Sequence, residues 1–478
     1  MALANPNRAQ TDLLLRIVAR NAQTRFGREH GFADIATVED FRRATPIGDY
    51  AAFRAAIAEV AAGADDILTR DPTVVFEETG GTSSGRKLIP YTSASLASFR
   101  AAVLPWLANL AQRRPGVAAG RVYVTISPVA RAPRLTLGGI PIGLRSEAAY
   151  LGDDLAAALL PLLAVPLEVA GFQDVAQWRL ETLAHLVECE DLSFVSVWSP
   201  TFFVELIRAL PLCADEIRRR SSPAARSRLA RALGQRRFDT APLWPRLDTI
   251  SCWADGGSAS LARQLAGLCP QATIEPKGLL ATEAAITTPW NGGVGSMPAL
   301  TSTFIEFIGR DGEARMAHEL DEGEDYRILV TTWGGLSRYE MGDLVRCLGY
   351  EGAAPRLVFL GREGLVSDMV GEKLDEAFVV GVLSRLSFAA ALVPCRTPRP
   401  HYEIWLDDEA TPLDAVAREV ERGLSENPQY SYARAIGQLG ACVPLSRPGY
   451  IAARNAARTL AGARIGDLKS TALILDEA

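Results

Sequence analysis

The chain has 478 residues, 48% hydrophobic and 22% charged, a usage that excludes intrinsic disorder and fibrous repeats and leaves room for up to about three domains. Its formal net charge of −6 gives no overall attraction to nucleic acid or to an anionic membrane, so any anion site has to be local. Seven cysteines (189, 213, 252, 269, 347, 395 and 442) are odd in number and free of CxxC spacing, which argues against a disulfide framework or a structural zinc site and fits a reducing cytoplasm.

In chain order, MALANPNRAQTDLLLRIV meets polar residues early and lacks a basic region followed by an apolar core, so no secretory signal is expected. Leu13, Leu14, Ile17 and Val18 share one helical face, and Thr37 with Asp40 forms a capping box before a second helix. The first seventy residues read as helical. Next comes ETGGTSSGRKLIPYT, Glu78 to Thr92. Its glycines 80, 81 and 85 let backbone N–H groups converge, Thr79, Thr82, Ser83 and Ser84 add hydroxyls, and Arg86 and Lys87 add charge. Such a run can cradle phosphates; a serine-rich turn with incidental cations would look similar. The order of residues is not that of a Walker A loop.

Further along, SASLASFRAAVLPWLANLAQRR predicts a helix interrupted at Pro105, and Arg121–Pro128 alternates like a strand. Leu155–Leu167 is the most apolar stretch, but it holds two prolines and falls short of the roughly 18 residues needed to span a bilayer. It predicts a buried segment. Strands are expected near Phe194–Trp198, Asp248–Ala254, Thr303–Ile308, Tyr326–Trp333 and Arg356–Gly361. Eight arginines in residues 218–237 lack interleaved aromatics, so they read as a solvated helix pair more than as a nucleic-acid face. The alternation of helix and strand predicts a large α/β or α+β body over residues 1–360. Near Gly361–Phe378 the chain turns to a charged turn, a helix and the strand His401–Leu406, so residues 361–478 read as a smaller C-terminal domain. His30, His185, His318 and His401 show no paired metal or triad spacing.

Five blocks in order extend the opening run. ADGGSASL (254–261), GLLATEA (278–284), GGLSRYEMGDLV (334–345), FLGREGLVSDMVGEKLDE (359–376) and GARIGDLKSTAL (462–473) resemble the core blocks of the acyl-adenylating superfamily. Together with RKLIPYT and the early TRFGREHGF and FRRATPIGDYAAF, the chain resembles the auxin-responsive (Gretchen Hagen) acyl-acid amido synthetases and their bacterial relatives. The resemblance spans nearly the whole chain.

What the resemblance implies is an acyl-adenylating architecture: a large N-terminal domain of mixed sheets with flanking helices, then a mobile small α/β domain, with the site between them. ATP and Mg²⁺ are the implied cofactors. Thr82, Ser83, Ser84, Gly85 and Lys87 would hold the outgoing pyrophosphate. Glu283 would help hold Mg²⁺ and Thr282 would donate to the α-phosphate. Gly257 and Ser258 would border adenine, Tyr339 belongs to the same nucleotide block, and Asp343 would accept from both ribose hydroxyls. Arg362 would contact ribose beside the hinge, and Lys469 would stabilise charge developing in the transition state. Arg131 or Arg134 is a candidate for greeting the substrate carboxylate, and Trp198, Phe202 and Phe203 for packing the acid, although these rings serve equally well as core. Three departures are visible. The loop reads G-R-K where many relatives have one more residue before the lysine, Leu279 stands where an adenine-stacking ring is common, and Glu340 replaces a basic residue.

The implied activity is ATP-dependent amide synthesis: a carboxylic acid is adenylated, then an amino acid or other amine attacks the adenylate and AMP leaves. An acyl-CoA ligase shares the first half-reaction, and a nucleotide-binding regulator without turnover is a third reading. The partners are small molecules, with no nucleic acid and no membrane, and a monomer is the default expectation.

Overall fold

The computed structural model describes residues 2–79, 87–125, 134–144, 150, 152, 157–172, 174–234, 238–408, 412–460, 468 and 470–475. The chain divides into two compact units, residues 1–178 with 277–359, and residues 179–276 with 360–478.

The first unit opens with helices Pro6–Asn21, Arg25–Glu29, Val38–Ala44 and Tyr50–Ala61, each capped by the side chain of the residue before it. The expected capping box is present: Thr37 Oγ1 accepts from Asp40 N at 3.0 Å, and Asp40 Oδ2 accepts from Thr37 N at 3.0 Å. Leu13, Leu14, Ile17 and Val18 are at most 1% exposed. One turn before them Gln10 donates to the carbonyls of Leu300 and Thr303 and accepts from Ile305 N, so the helix is fixed to the sheet by a buried amide with its bonds satisfied.

The helix Ser93–Arg113 continues through Pro105, which corrects the expected interruption. Pro105 sits on the exposed face. The Ala101 carbonyl that a residue-105 N–H would have bonded accepts a weak bond from Thr301 Oγ1 at 3.4 Å, so the proline's missing donor is partly offset. Leu155–Leu167 also needs correction. Leu163, Ala164 and Val165 are buried, but Leu160 and Leu162 are 49% and 45% exposed. The prolines leave a short 3-10 turn there, Leu160–Leu162, instead of an element with one core-facing side.

A seven-stranded sheet carries this unit, in the order Ala314–Arg315, Phe304–Ile308, Asp325–Thr331, Tyr339–Glu351, Ala354–Arg362, Ser296–Pro298 and Thr287–Pro289. Its inner face packs Ile305, Phe307, Ile328, Val330 and Val345 against Phe53, Ile57, Phe76 and Ile89. A four-stranded sheet orders Lys87–Thr92, Thr73–Thr79, Pro141–Ile142 and Arg134–Leu135.

In the second unit, Leu192–Ser196, Thr249–Cys252 and Thr273–Pro276 run parallel, connected through helices Pro200–Arg220, Pro223–Leu233 and Ala259–Leu268, as parallel crossovers require. Ala390–Cys395, His401–Leu406 and Val443–Ser446 form a second sheet, backed by helices Glu376–Leu383, Leu413–Leu424 and Pro428–Ala435 through a core that includes Leu392, Tyr402, Val420 and Tyr430. Four arginines of the run pair with nearby acids: Arg218 with Asp215, Arg219 with Glu216, Arg220 with Glu181 and Glu216, and Arg228 with Glu190. All seven cysteines are free thiols. Among the described residues no helix is long and apolar enough to cross a membrane.

Candidate active site

Thr82, Ser83, Ser84, Gly85, Arg131 and Lys469 lie outside the described residues. The strands that flank the glycine-rich run are described. Thr73–Thr79 and Lys87–Thr92 pair antiparallel, with Thr79 opposite Lys87, so the run joins two neighbouring strands and Lys87 stands at its exit. The Lys87 Nζ lies 5.4 Å from the Tyr50 ring centroid, and the Tyr50 hydroxyl accepts from Leu88 N at 3.0 Å. The ring therefore steers the ammonium without consuming its charge. Arg134, a candidate for the substrate carboxylate, pairs with Glu78 Oε2 at 2.5 Å.

Thr282 and Glu283 occupy the tip of a tight turn. Leu280 bridges Ala285, and Ala281 N donates to Ala284 O at 3.0 Å. The turn depends on Gly278, whose φ is +70° and whose hypothetical Cβ would stand 2.5 Å from Thr287 O. Tyr91 holds the tip by donating its hydroxyl to Thr282 O at 2.6 Å. Burial, together with the carboxylates of Glu77 and Glu283, pushes the Tyr91 phenol far above its ordinary pKa, so it stays a donor. Glu283 is 9% exposed and lines a cleft with Tyr91, Ser95, Phe99, Thr332 and Trp333. A carboxylate beside hydroxyls in such a cleft is a donor set of hard oxygens that fits Mg²⁺.

Asp343 lies on Tyr339–Glu351, 1% exposed. The pairing of this strand shifts register between Arg327 opposite Leu344 and Leu329 opposite Glu340, with Gly342 at φ +75° inside the irregularity. Three residues here face one, a bulge that re-aims the side chain following the glycine. Just before it, Arg338 is committed elsewhere. It binds both oxygens of Glu306 and donates to the carbonyls of Arg42 and Thr45, while Arg42 also bonds Glu306. Tyr339 is packed in the core with its ring 5.9 Å from that of Phe53.

The second unit carries the other candidates. Gly257 and Ser258 form a 3-10 turn ahead of Ala259–Leu268, and a Cβ on Gly257 would come within 2.6 Å of Ser470 O. The segment after position 469 thus runs directly over the glycine turn. Asp255, at the start of that turn, has its carboxyl pushed up to about 6 by burial. Trp198 is half-buried with its ring 6.0 Å from that of Trp253. Phe202 and Phe203 are 4% and 0% exposed, and Phe203 stacks on Trp244, which places these two rings in the core. Arg362 is exposed at the end of Ala354–Arg362. The buried Glu376 carboxylate accepts from the backbone N–H groups of Arg362, Ala472 and Leu473. Leu392 N and O bond Ala472 O and Ile474 N, stitching the same C-terminal segment to a strand.

Residues 1–274 match the GH3 family N-terminal domain and residues 296–362 match the GH3 family central domain. The chain belongs to the GH3 family. The GH3.10 protein of Oryza sativa subsp. japonica is 26% identical over 422 residues, 81% of this chain and 84% of the relative. Indole-3-acetic acid-amido synthetase GH3.2 of Arabidopsis thaliana is 31% identical over 87 residues, 16% of each chain. Among solved structures, the AtGH3.15 acyl acid amido synthetase in complex with 2,4-DB superposes with a TM-score of 0.86 at 19% identity, covering 99% of this chain and 92% of that one. A 2-hydroxyisobutyryl-CoA ligase in its postadenylation state follows at a TM-score of 0.57 and 13% identity, covering 98% and 90%. The fold is that of the acyl-adenylating enzymes.

Two of the departures in this GH3 protein now have a structural account. Glu340 is paired with Arg327 Nη1 at 2.5 Å across the strands, so its charge is locally balanced. Leu279 is 7% exposed in the first unit's core. Sequence reasoning passed over Tyr91, Glu77 and Tyr50, because a tyrosine next to a proline, a glutamate inside a strand and a tyrosine at a helix start carry no spacing signal of their own.

Proposed function

We propose that this GH3 protein is an ATP-dependent acyl-acid amido synthetase. The observation that carries the reading is the Thr282–Glu283 turn, held by Tyr91 at the edge of a cleft, in a chain whose family includes named amido synthetases. A substrate carboxylate attacks the α-phosphate of ATP and pyrophosphate leaves; an amine then attacks the acyl carbonyl and AMP leaves. Chemistry of this kind rests on positioning and on neutralising phosphate charge. In our reading, Lys87 and the glycine-rich run grip the departing phosphates. Glu283 holds Mg²⁺, which when bound neutralises the phosphate oxygens. Asp343 accepts from the ribose hydroxyls, Gly257 and Ser258 border adenine, and Lys469 comes to the reacting carboxylate and α-phosphate on the small domain 361–478.

The test is pyrophosphate release from ATP and Mg²⁺ with a panel of aromatic and aliphatic acids, with and without mixed amino acids, read by mass spectrometry. Acid-dependent release with an amide product supports the proposal. A thioester with coenzyme A and no amide with any amine would replace it by the ligase reading.

A further inference from the structure

Cys395, His401 and Glu403 carry no metal signature as a linear string, but the hairpin folds them together. Cys395 is the register partner of His401, and Glu403 is two residues further along the same strand, so all three side chains leave one face of the sheet. Tyr402 between them points the opposite way, into the core at 0% exposure. One ligand atom from each of the three lies within 4.8 Å of the others, and all three residues are half-buried and open to solvent.

The surrounding bonds prepare these groups as ligands. His401 Nδ1 is 2.8 Å from Arg399 O, which fixes the proton on Nδ1 and leaves the lone pair on Nε2, the arrangement that carbonyl-bonded histidine ligands use. Glu403 Oε2 accepts from Trp405 Nε1 at 2.7 Å, which orients the carboxylate. Arg447 stacks 4.0 Å above the Trp405 ring and stands 3.7 Å from the same oxygen. The Cys395 thiol, 3.2 Å from Thr397 O, would surrender its proton on binding. A soft thiolate, a borderline imidazole and a hard carboxylate make a mixed donor set that borderline Zn²⁺ accepts, with water completing the tetrahedron.

We propose that Cys395, His401 and Glu403 form a surface Zn²⁺ site on the small sheet, separate from the synthetase residues. The test is titration of the reduced full-length protein with Co²⁺ as the spectroscopic probe, followed by competition with Zn²⁺. The expected result is one equivalent of Co²⁺ with a thiolate-to-metal charge-transfer band that Zn²⁺ abolishes. Cys395→Ser should remove the band, and His401→Gln should weaken Co²⁺ binding at least tenfold while far-UV circular dichroism stays unchanged. Absence of the band in folded wild-type protein overturns the proposal, as does a band that survives Cys395→Ser, which would assign the metal to another thiol. Neither readout depends on finding the enzyme's substrates.

Discussion

Glu283 combines burial with a place in a cleft, and its charge is the property the proposed chemistry uses. Glu283→Gln keeps the shape of the turn and removes the negative oxygen. We expect acid-dependent pyrophosphate release to fall on the order of 10²-fold or more, with an unchanged melting temperature; near-wild-type release would remove Glu283 from the metal site. Asp255 supports a different prediction. Its folded pKa of about 6 lies above the ordinary value of about 3.9, so between those pH values the folded state holds a proton that the unfolded state does not. The stabilisation is complete below about pH 4 and is lost as pH rises through about 6. Asp255→Asn should therefore raise the urea midpoint at pH 7.5, by up to about 3 kcal/mol in stability, and leave it nearly unchanged near pH 4. An equal effect at both pH values would refute the burial argument. At this scale the sequence was legible where a residue type has one dominant use, as with the capping pair Thr37 and Asp40. It was silent on Tyr91, whose role comes from a carbonyl 191 residues away.

Elements were more legible than single contacts. The strands expected at Phe194–Trp198, Tyr326–Trp333 and His401–Leu406 appear as Leu192–Ser196, Asp325–Thr331 and His401–Leu406, because β-branched and aromatic runs bounded by turns identify themselves. The helix through Pro105 was not legible, since the carbonyl's substitute donor is a distant threonine. Two changes probe what fixes the site's elements. Gly278→Ala forces a side chain at φ +70° to within 2.5 Å of Thr287 O. It should cost about 2 kcal/mol or more in denaturant unfolding and reduce adenylation as the Thr282–Glu283 tip shifts. Glu306→Gln strips the carboxylate shared by Arg42 and Arg338 and leaves two cations poorly compensated in a buried place. A loss of about 3 kcal/mol is expected; a loss under about 1 kcal/mol would show that the cluster is dispensable for holding the end of helix Val38–Ala44.

For the whole molecule, the ordered blocks made the family legible because phosphate, ribose and metal recognition need fixed residue types at fixed places. Substrate choice was not, since Phe202 and Phe203, read as either acid-packing or core rings, are buried, and apolar side chains look alike in either role. If Lys469 serves only the first half-reaction, Lys469→Ala should slow pyrophosphate release at least 10²-fold while amide formation from supplied acyl adenylate changes little. Equal loss in both steps would refute that division. Glu376 adds a mechanical consequence. One carboxylate ties the backbone at Arg362, the start of the proposed small domain, to Ala472 and Leu473 near the end of the chain. A displacement of the backbone at residue 362 is therefore passed to Ala472 and Leu473 by this carboxylate, while Leu392 holds the same short segment to its strand.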